Sequence, residues 1–278
     1  MYKFPIVWAD QCVRPYNRHI LKRTGMKPLN RFFFALMALA AVVLASCGSD
    51  ASNSGQTRPE EDASNFVVLT DVVPDVILEI RYYGTYNFIG RRIPGYDEPI
   101  AILTRQAADS LKKVSDDLIS QGYRLKIFDA YRPQKAVDYF MEWAKDVGDT
   151  LMKPYFYPEL DKAVLVPQEY VAERSGHTRG STIDLTLFDM QTEKEVDMGC
   201  TYDYFGLASH PSAQPGQEVG AYKPINQQQY DNRMILQRAM VAHGFKPYDC
   251  EWWHFTLKNE PYPDTYFVFP IARKSVGN

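Results

Sequence analysis

Ser175-Gly176-His177-Thr178-Arg179-Gly180-Ser181-Thr182-Ile183-Asp184-Leu185-Thr186-Leu187 is the stretch from which the fold can be read. Ile183, Leu185 and Leu187 alternate with Asp184 and Thr186, the period-two pattern of a half-buried strand. Asp184 is therefore expected on the face opposite the three aliphatic residues. Ahead of the strand, Gly176 and Gly180 tighten a loop around His177, which lets His177 and Asp184 converge on one point. A second segment, Glu251-Trp252-Trp253-His254-Phe255, adds another imidazole and another carboxylate far along the chain. Three protein ligands with one position left open are the mark of catalytic rather than structural zinc. With His177, Asp184 and His254 as ligands, Glu251 is left as general base for a water molecule. A blander reading makes the two segments a histidine loop and an aromatic core strand. Histidine is scarce, however, with five in the chain, and two of them stand beside acids in these segments. That favours a metal centre. One difficulty is geometric: residues three apart face opposite sides of a regular strand. Glu251 and His254 can share a site only across a bend or bulge.

Asp129-Ala130-Tyr131-Arg132-Pro133 supplies the next candidate. Leu125 and Ile127 mark a strand that ends here, and Pro133 suits the first turn of a helix. Arg132 thus lies at a strand-to-helix junction, where a guanidinium can share with a metal the stabilisation of a tetrahedral oxyanion. Asp129 can hold it by a charge-assisted hydrogen bond. The alternative is a structural ion pair at the helix start.

The 278 residues carry a net charge of −3 and no basic stripe, which argues against a nucleic-acid partner. The hydrophobic content of 45% is enough for a sizeable core. Lys27 and Arg31 precede the apolar run Phe32 to Leu44, too short for a membrane span and suited to an export signal. Leu44-Ala45-Ser46-Cys47 follows and resembles the lipobox of bacterial lipoproteins, which implies cleavage before Cys47 and a lipid anchor on its sulfur. The expected organisation is an upstream extension at 1–25, a lipoprotein signal at 26–46, a lipidated Cys47 with a polar tether to 65, and one catalytic domain at 66–278. Export places the protein in the periplasm or anchored in the envelope, with the outer membrane favoured over the inner. In that oxidising setting Cys200 and Cys250 are candidates for a disulfide, the alternative being two buried thiols.

Further along, Phe66–Thr70 and Ile77–Tyr82 read as strands. Thr104–Gly122, a segment after Pro133 with an apolar stripe from Ala136 to Val147, and Gln227–His243 read as helices. Strands and helices mix without regular alternation, so the expected class is α+β.

Together these segments resemble the zinc D-alanyl-D-alanine dipeptidases, the family of the vancomycin-resistance dipeptidase. The likeness runs from about Phe66 to Pro270. It takes in Tyr82 ahead of Asn87-Phe-Ile-Gly90, the motifs at 129–133 and 175–187, Met198-Gly199 with Asp203, the motif at 251–255, and Glu260-Pro-Tyr-Pro-Asp264. The resemblance implies a small antiparallel sheet with helices packed around it, shared with zinc D,D-carboxypeptidases and the hedgehog signalling domain. It implies one Zn2+ per chain on His177, Asp184 and His254, with Glu251 as base and Arg132 stabilising the transition state. Tyr82, Ser175 and Asp203 match positions lining the dipeptide pocket, with Asp203 suited to a free ammonium. Cys200, Cys250 and a long Pro211–Pro224 stretch depart from the family pattern.

The activity so implied is hydrolysis of D-Ala-D-Ala to two D-alanines in the envelope, serving D-alanine recovery or wall turnover. No protein partner is implied. Two other readings remain: a D,D-carboxypeptidase acting on longer peptidoglycan stems, and a non-catalytic zinc module that binds wall fragments.

Overall fold

A computed structural model describes residues 62–167, 170–220 and 222–276. The expected signal, Cys47 and the tether up to residue 61 lie outside the described residues. The folded unit is already under way at Ala63, which is buried, and at Asn65, whose Nδ2 donates to Gln106.

The architecture is α+β. Strand β1 (Phe66–Val68) pairs antiparallel with β3 (Ile102–Thr104), and the helical turn α1 (Leu69–Val72) follows β1 directly. The main sheet has six strands. Its path runs β2 (Ile77–Leu78), β4 (Tyr123–Asp129), β5 (Thr182–Asp189), β8 (Glu251–Leu257) and β7 (Phe245–Tyr248), and β6 (Lys194–Glu195) also pairs with β5. β2 runs parallel to β4, and the other pairs in this sheet are antiparallel. The strand quoted first is therefore central, with β4 along one edge and β8 and then β6 along the other.

Among the described residues three helices run longer than a single turn. α2 (Arg105–Ser120) starts where Thr104 Oγ1 accepts the Ala107 amide, and it buries Ala107, Leu111, Val114 and Leu118. Gly122, at φ 89°, turns the chain straight into β4. α3 (Gln134–Lys145) begins after Pro133, which is its N-cap rather than its first residue. The apolar stripe expected as far as Val147 stops early. The Asp146 carboxylate accepts the Gly148 amide and bends the chain away, leaving Val147 exposed. α4 (Lys153–Phe156) is a single turn, and α5 (Gln227–Ala242) opens on a reciprocal Asn226–Gln229 capping box.

The half-buried strand expectation needs refinement. Ile183, Leu185 and Leu187 face the core, yet Thr182, Asp184 and Thr186 are buried as well. Buried polar groups usually find partners: Thr182 Oγ1 meets Thr256 Oγ1 at 2.9 Å, while Thr186 Oγ1 has none. Asp184 finds several, described below.

The expected Cys200–Cys250 bridge does not form, because Cys200 is a buried free thiol. Its sulfur lies 3.4 Å from Trp252 Nε1, 3.6 Å from Arg233 Nη2 and 3.3 Å from the Ala208 carbonyl. The indole of Trp252 meets Cys200, while Cys250 stands in the turn before β8 begins.

Gly180 fixes the join between the His177 loop and β5. Its φ is 81°, and a Cβ there would lie 2.1 Å from Phe66. Phe66 is itself locked edge-on against Phe267 and Phe269, with centroids at 4.8 and 5.0 Å. Overpacking typically costs about 1–3 kcal/mol, and left-handed backbone costs a non-glycine residue roughly 1–2 kcal/mol. Gly180→Ala should therefore lower the unfolding free energy by about 2–5 kcal/mol in chemical denaturation.

Candidate metal centre and its pocket

Two backbone irregularities build the site. Ile127 pairs with Leu185, but the next pair along is Asp129 with Asp184, so Phe128 is an extra residue in β4. The second irregularity answers the difficulty over Glu251 and His254. Pro247 pairs with Phe255, whereas its neighbour Tyr248 pairs with Glu251, which leaves Trp252, Trp253 and His254 without partners on β7. On its other edge β8 is regular, and His254 stands directly opposite Asp184. Asp129, Asp184 and His254 thus form a row across three adjacent strands, and side chains so paired share a face. The bulged segment brings Glu251 Oε2 to 3.4 Å from His254 Nδ1.

His177 comes to the same point from the loop. Ser175 caps the short helical turn Gly176–Arg179, its Oγ accepting the His177 amide at 3.3 Å. His177 Nδ1 donates to the Ala130 carbonyl at 2.7 Å, which leaves Nε2 with its lone pair facing inward. Nε2 lies 3.2 Å from His254 Nδ1 and 3.2 Å from Asp184 Oδ2, and His254 Nδ1 lies 3.1 Å from Asp184 Oδ1. One ligand atom from each of the three residues falls within 4.8 Å of the others. Oδ1 of the buried Asp184 has no hydrogen-bond partner. Lone pairs and a carboxylate facing one another in a buried space repel unless a cation lies between them. The donor set therefore fits a divalent metal.

The acids and imidazoles of the cluster shift one another's titration. Burial alone would raise the Asp184 carboxyl, but His177 and His254 outweigh it and hold Asp184 well below the ordinary carboxylate range. Burial opposes charge on His254, yet Asp184 and Glu251 keep its pKa above the usual value. Glu251 is pushed up to about 7, by burial first and then by Asp184, with His254 and Arg132 opposing. A carboxylate poised near neutrality is what a general base requires.

The remaining candidates line one cavity of about 230 Å³ with these four, namely Tyr82, Arg132, Ser175 and Asp203. Arg132 Nε and Nη2 bond Asp129 Oδ2 at 3.0 and 2.9 Å, and Nη2 is 3.9 Å from Asp184. Its guanidinium lies over the rings of Tyr82 and Phe140. Asp129 stands behind the cavity wall, fixed from the far side by Tyr96 Oη at 2.7 Å. Asp203 takes a positive φ of 60° and accepts from Tyr82 Oη at 2.9 Å. Burial, reinforced by Asp184 and Glu251, pushes the Asp203 carboxyl well above its ordinary range.

Sequence reasoning missed two contributors. Tyr202 Oη reaches Asp184 Oδ2 at 3.1 Å, and the only hint was its place beside Asp203. Arg179 makes a two-pronged pair with Glu260 at 2.8 and 2.9 Å, tying the His177 loop to the quoted 260–264 motif.

A family model described as D-ala-D-ala dipeptidase (Peptidase_M15) matches residues 62–272. A D-alanyl-D-alanine dipeptidase of Enterococcus faecalis is 37% identical over 209 residues, covering 75% of this chain and 99% of that protein. One from Streptomyces coelicolor is 36% identical, covering 75% and 98%. One from Escherichia coli is 30% identical, covering 70% and 86%. A match spanning the sheet, the cavity and every motif from Tyr82 to Asp264 means that this chain belongs to the Peptidase_M15 family of D-Ala-D-Ala dipeptidases.

Proposed function

We propose that this protein is a zinc-dependent dipeptidase that hydrolyses D-Ala-D-Ala to two D-alanines. The observation that carries this reading is the meeting of three ligands, a spare carboxylate and a guanidinium in one small cavity. His177, Asp184 and His254 would hold the zinc, which when bound supplies Lewis-acid polarisation of the peptide carbonyl. Glu251 takes a proton from the attacking water and returns it to the leaving nitrogen as the carbon–nitrogen bond breaks. Arg132, anchored by Asp129, faces the negative charge that develops on the carbonyl oxygen. Asp203 and Tyr82 receive the substrate ammonium, which supplies the counter-charge that the buried Asp203 lacks.

A carboxypeptidase acting on longer stems needs room beyond the amino end of the substrate. Asp203, buried and bonded to Tyr82, argues against that room. A non-catalytic module would need neither Glu251 nor Arg132. Incubation with D-Ala-D-Ala and with a pentapeptide stem, followed by product analysis, separates the three readings: only the dipeptide should be cleaved.

We further propose that the mature protein begins at Cys47, carries a lipid there and works in the envelope, where D-alanine recovery is its purpose. The export signal and lipobox support this reading. A lipoprotein outside the cytoplasm does not meet the dipeptide pool that feeds wall precursors.

His177→Ala should lose both bound zinc and activity, measured by metal analysis and turnover. Glu251→Ala should keep zinc and lose about 100- to 10,000-fold in kcat. Asp203→Ala should impair cleavage of the free dipeptide far more than that of an N-acylated analogue, and equal losses would show that Asp203 does not read the amine. Cys47→Ser should move the expressed protein from the membrane fraction to the soluble fraction.

A further inference from the structure

Tyr202 is 2% exposed, and its ring is held by Phe128, stacked at 4.7 Å, and Trp253, edge-on at 5.3 Å. Its hydroxyl oxygen has two neighbours, Asp184 Oδ2 at 3.1 Å and Tyr82 Oη at 3.3 Å. Tyr82 already directs its own proton to Asp203 Oδ2. One proton on Tyr202 therefore faces two acceptors. The Asp184 carboxylate is both nearer and charged, and charge-assisted hydrogen bonds are roughly twice as strong as neutral ones. His177 gives Oδ2 nothing, since its ring proton is committed to the Ala130 carbonyl. Oδ2 is thus engaged by Tyr202, whereas Oδ1 makes no hydrogen bond and has only the other ligand, His254 Nδ1, beside it at 3.1 Å.

We infer that Tyr202 is a positioning residue of the metal centre, whose hydroxyl turns the Asp184 carboxylate so that Oδ1 is the oxygen offered to the ion. The inference rests on the zinc reading above. It also separates two neighbouring tyrosines that form one hydroxyl chain. Tyr202 serves the metal ligand, while Tyr82 serves Asp203 and makes no bond to Asp184. Deleting either oxygen alone should therefore affect different properties.

The test uses the mature chain, stripped of metal and titrated with Zn2+ against a chromophoric chelator. Tyr202→Phe keeps the ring between Phe128 and Trp253 and removes only the hydroxyl. Loss of such an outer hydrogen bond typically costs about 10- to 100-fold in metal affinity. That loss is expected for Tyr202→Phe at unchanged stoichiometry, with the near-UV circular dichroism of the metal-free protein preserved. Tyr82→Phe should bind Zn2+ close to wild type while its KM for the dipeptide rises. Wild-type Zn2+ affinity in Tyr202→Phe would overturn the inference. So would a Tyr82→Phe loss as large as that of Tyr202→Phe, or a loss accompanied by a collapsed near-UV spectrum, because general loosening would then explain it. A wild-type chain that takes up no Zn2+ in the same titration would instead overturn the zinc reading itself.

Discussion

A carboxylate buried in the middle of a sheet is the constraint around which this molecule is arranged. Asp184 is 2% exposed on the central strand, where an unpaired charge costs several kcal/mol at least. Neighbouring groups answer that cost in different ways. His254 faces it from the next strand, His177 from the loop before it, and Tyr202 from the segment that also carries Asp203. Arg132 stands farther off, at 3.9 Å, restrained by its own partner Asp129. Oδ1 is still left without a hydrogen bond, and so the cluster fits a cation.

Backbone irregularity is concentrated where this arrangement demands it. The extra residue at Phe128 aligns Asp129 with Asp184, and the run Trp252–His254, without partners on β7, lets Glu251 turn toward the row. Bulges next to sites re-aim side chains that a regular pleat would send elsewhere. Asp203 adds a left-handed backbone, unusual for a residue that is not glycine. Such local strain persists only when the surroundings over-determine it. Here the surroundings are aromatic: Phe66, Tyr82, Phe128, Tyr202 and Trp253 are all buried and in ring contact with one another or with their neighbours.

The cavity follows from the same packing. Phe88, Phe140 and Phe205 close the side on which Tyr82 and Asp203 sit, so a polar end of a substrate would meet Asp203 inside an apolar wall. An amine pairs there with little competition from water, and a neutral acyl group leaves a buried acid unmatched. That contrast is the physical basis for preferring a free dipeptide over a longer stem in the proposed activity.

Much of this was legible in the residues themselves. Period-two alternation placed β5, a terminal glycine closed α2, an apolar stripe marked α3, and the scarcity of histidine drew attention to His177 and His254. Those signals are local, so one sequence carries them. Whether Glu251 and His254 could share a site was not local, because it depended on how β7 pairs with β8 across a bulge. Tyr202 was invisible for the same reason, since its bond to Asp184 joins segments that only the folded chain brings together. The cysteines show the limit most plainly. Their places in sequence suggested a bridge, but the indole of Trp252 meets the Cys200 sulfur instead. Residue type and spacing determined which groups could do the chemistry, while strand register and bulges decided which of them meet.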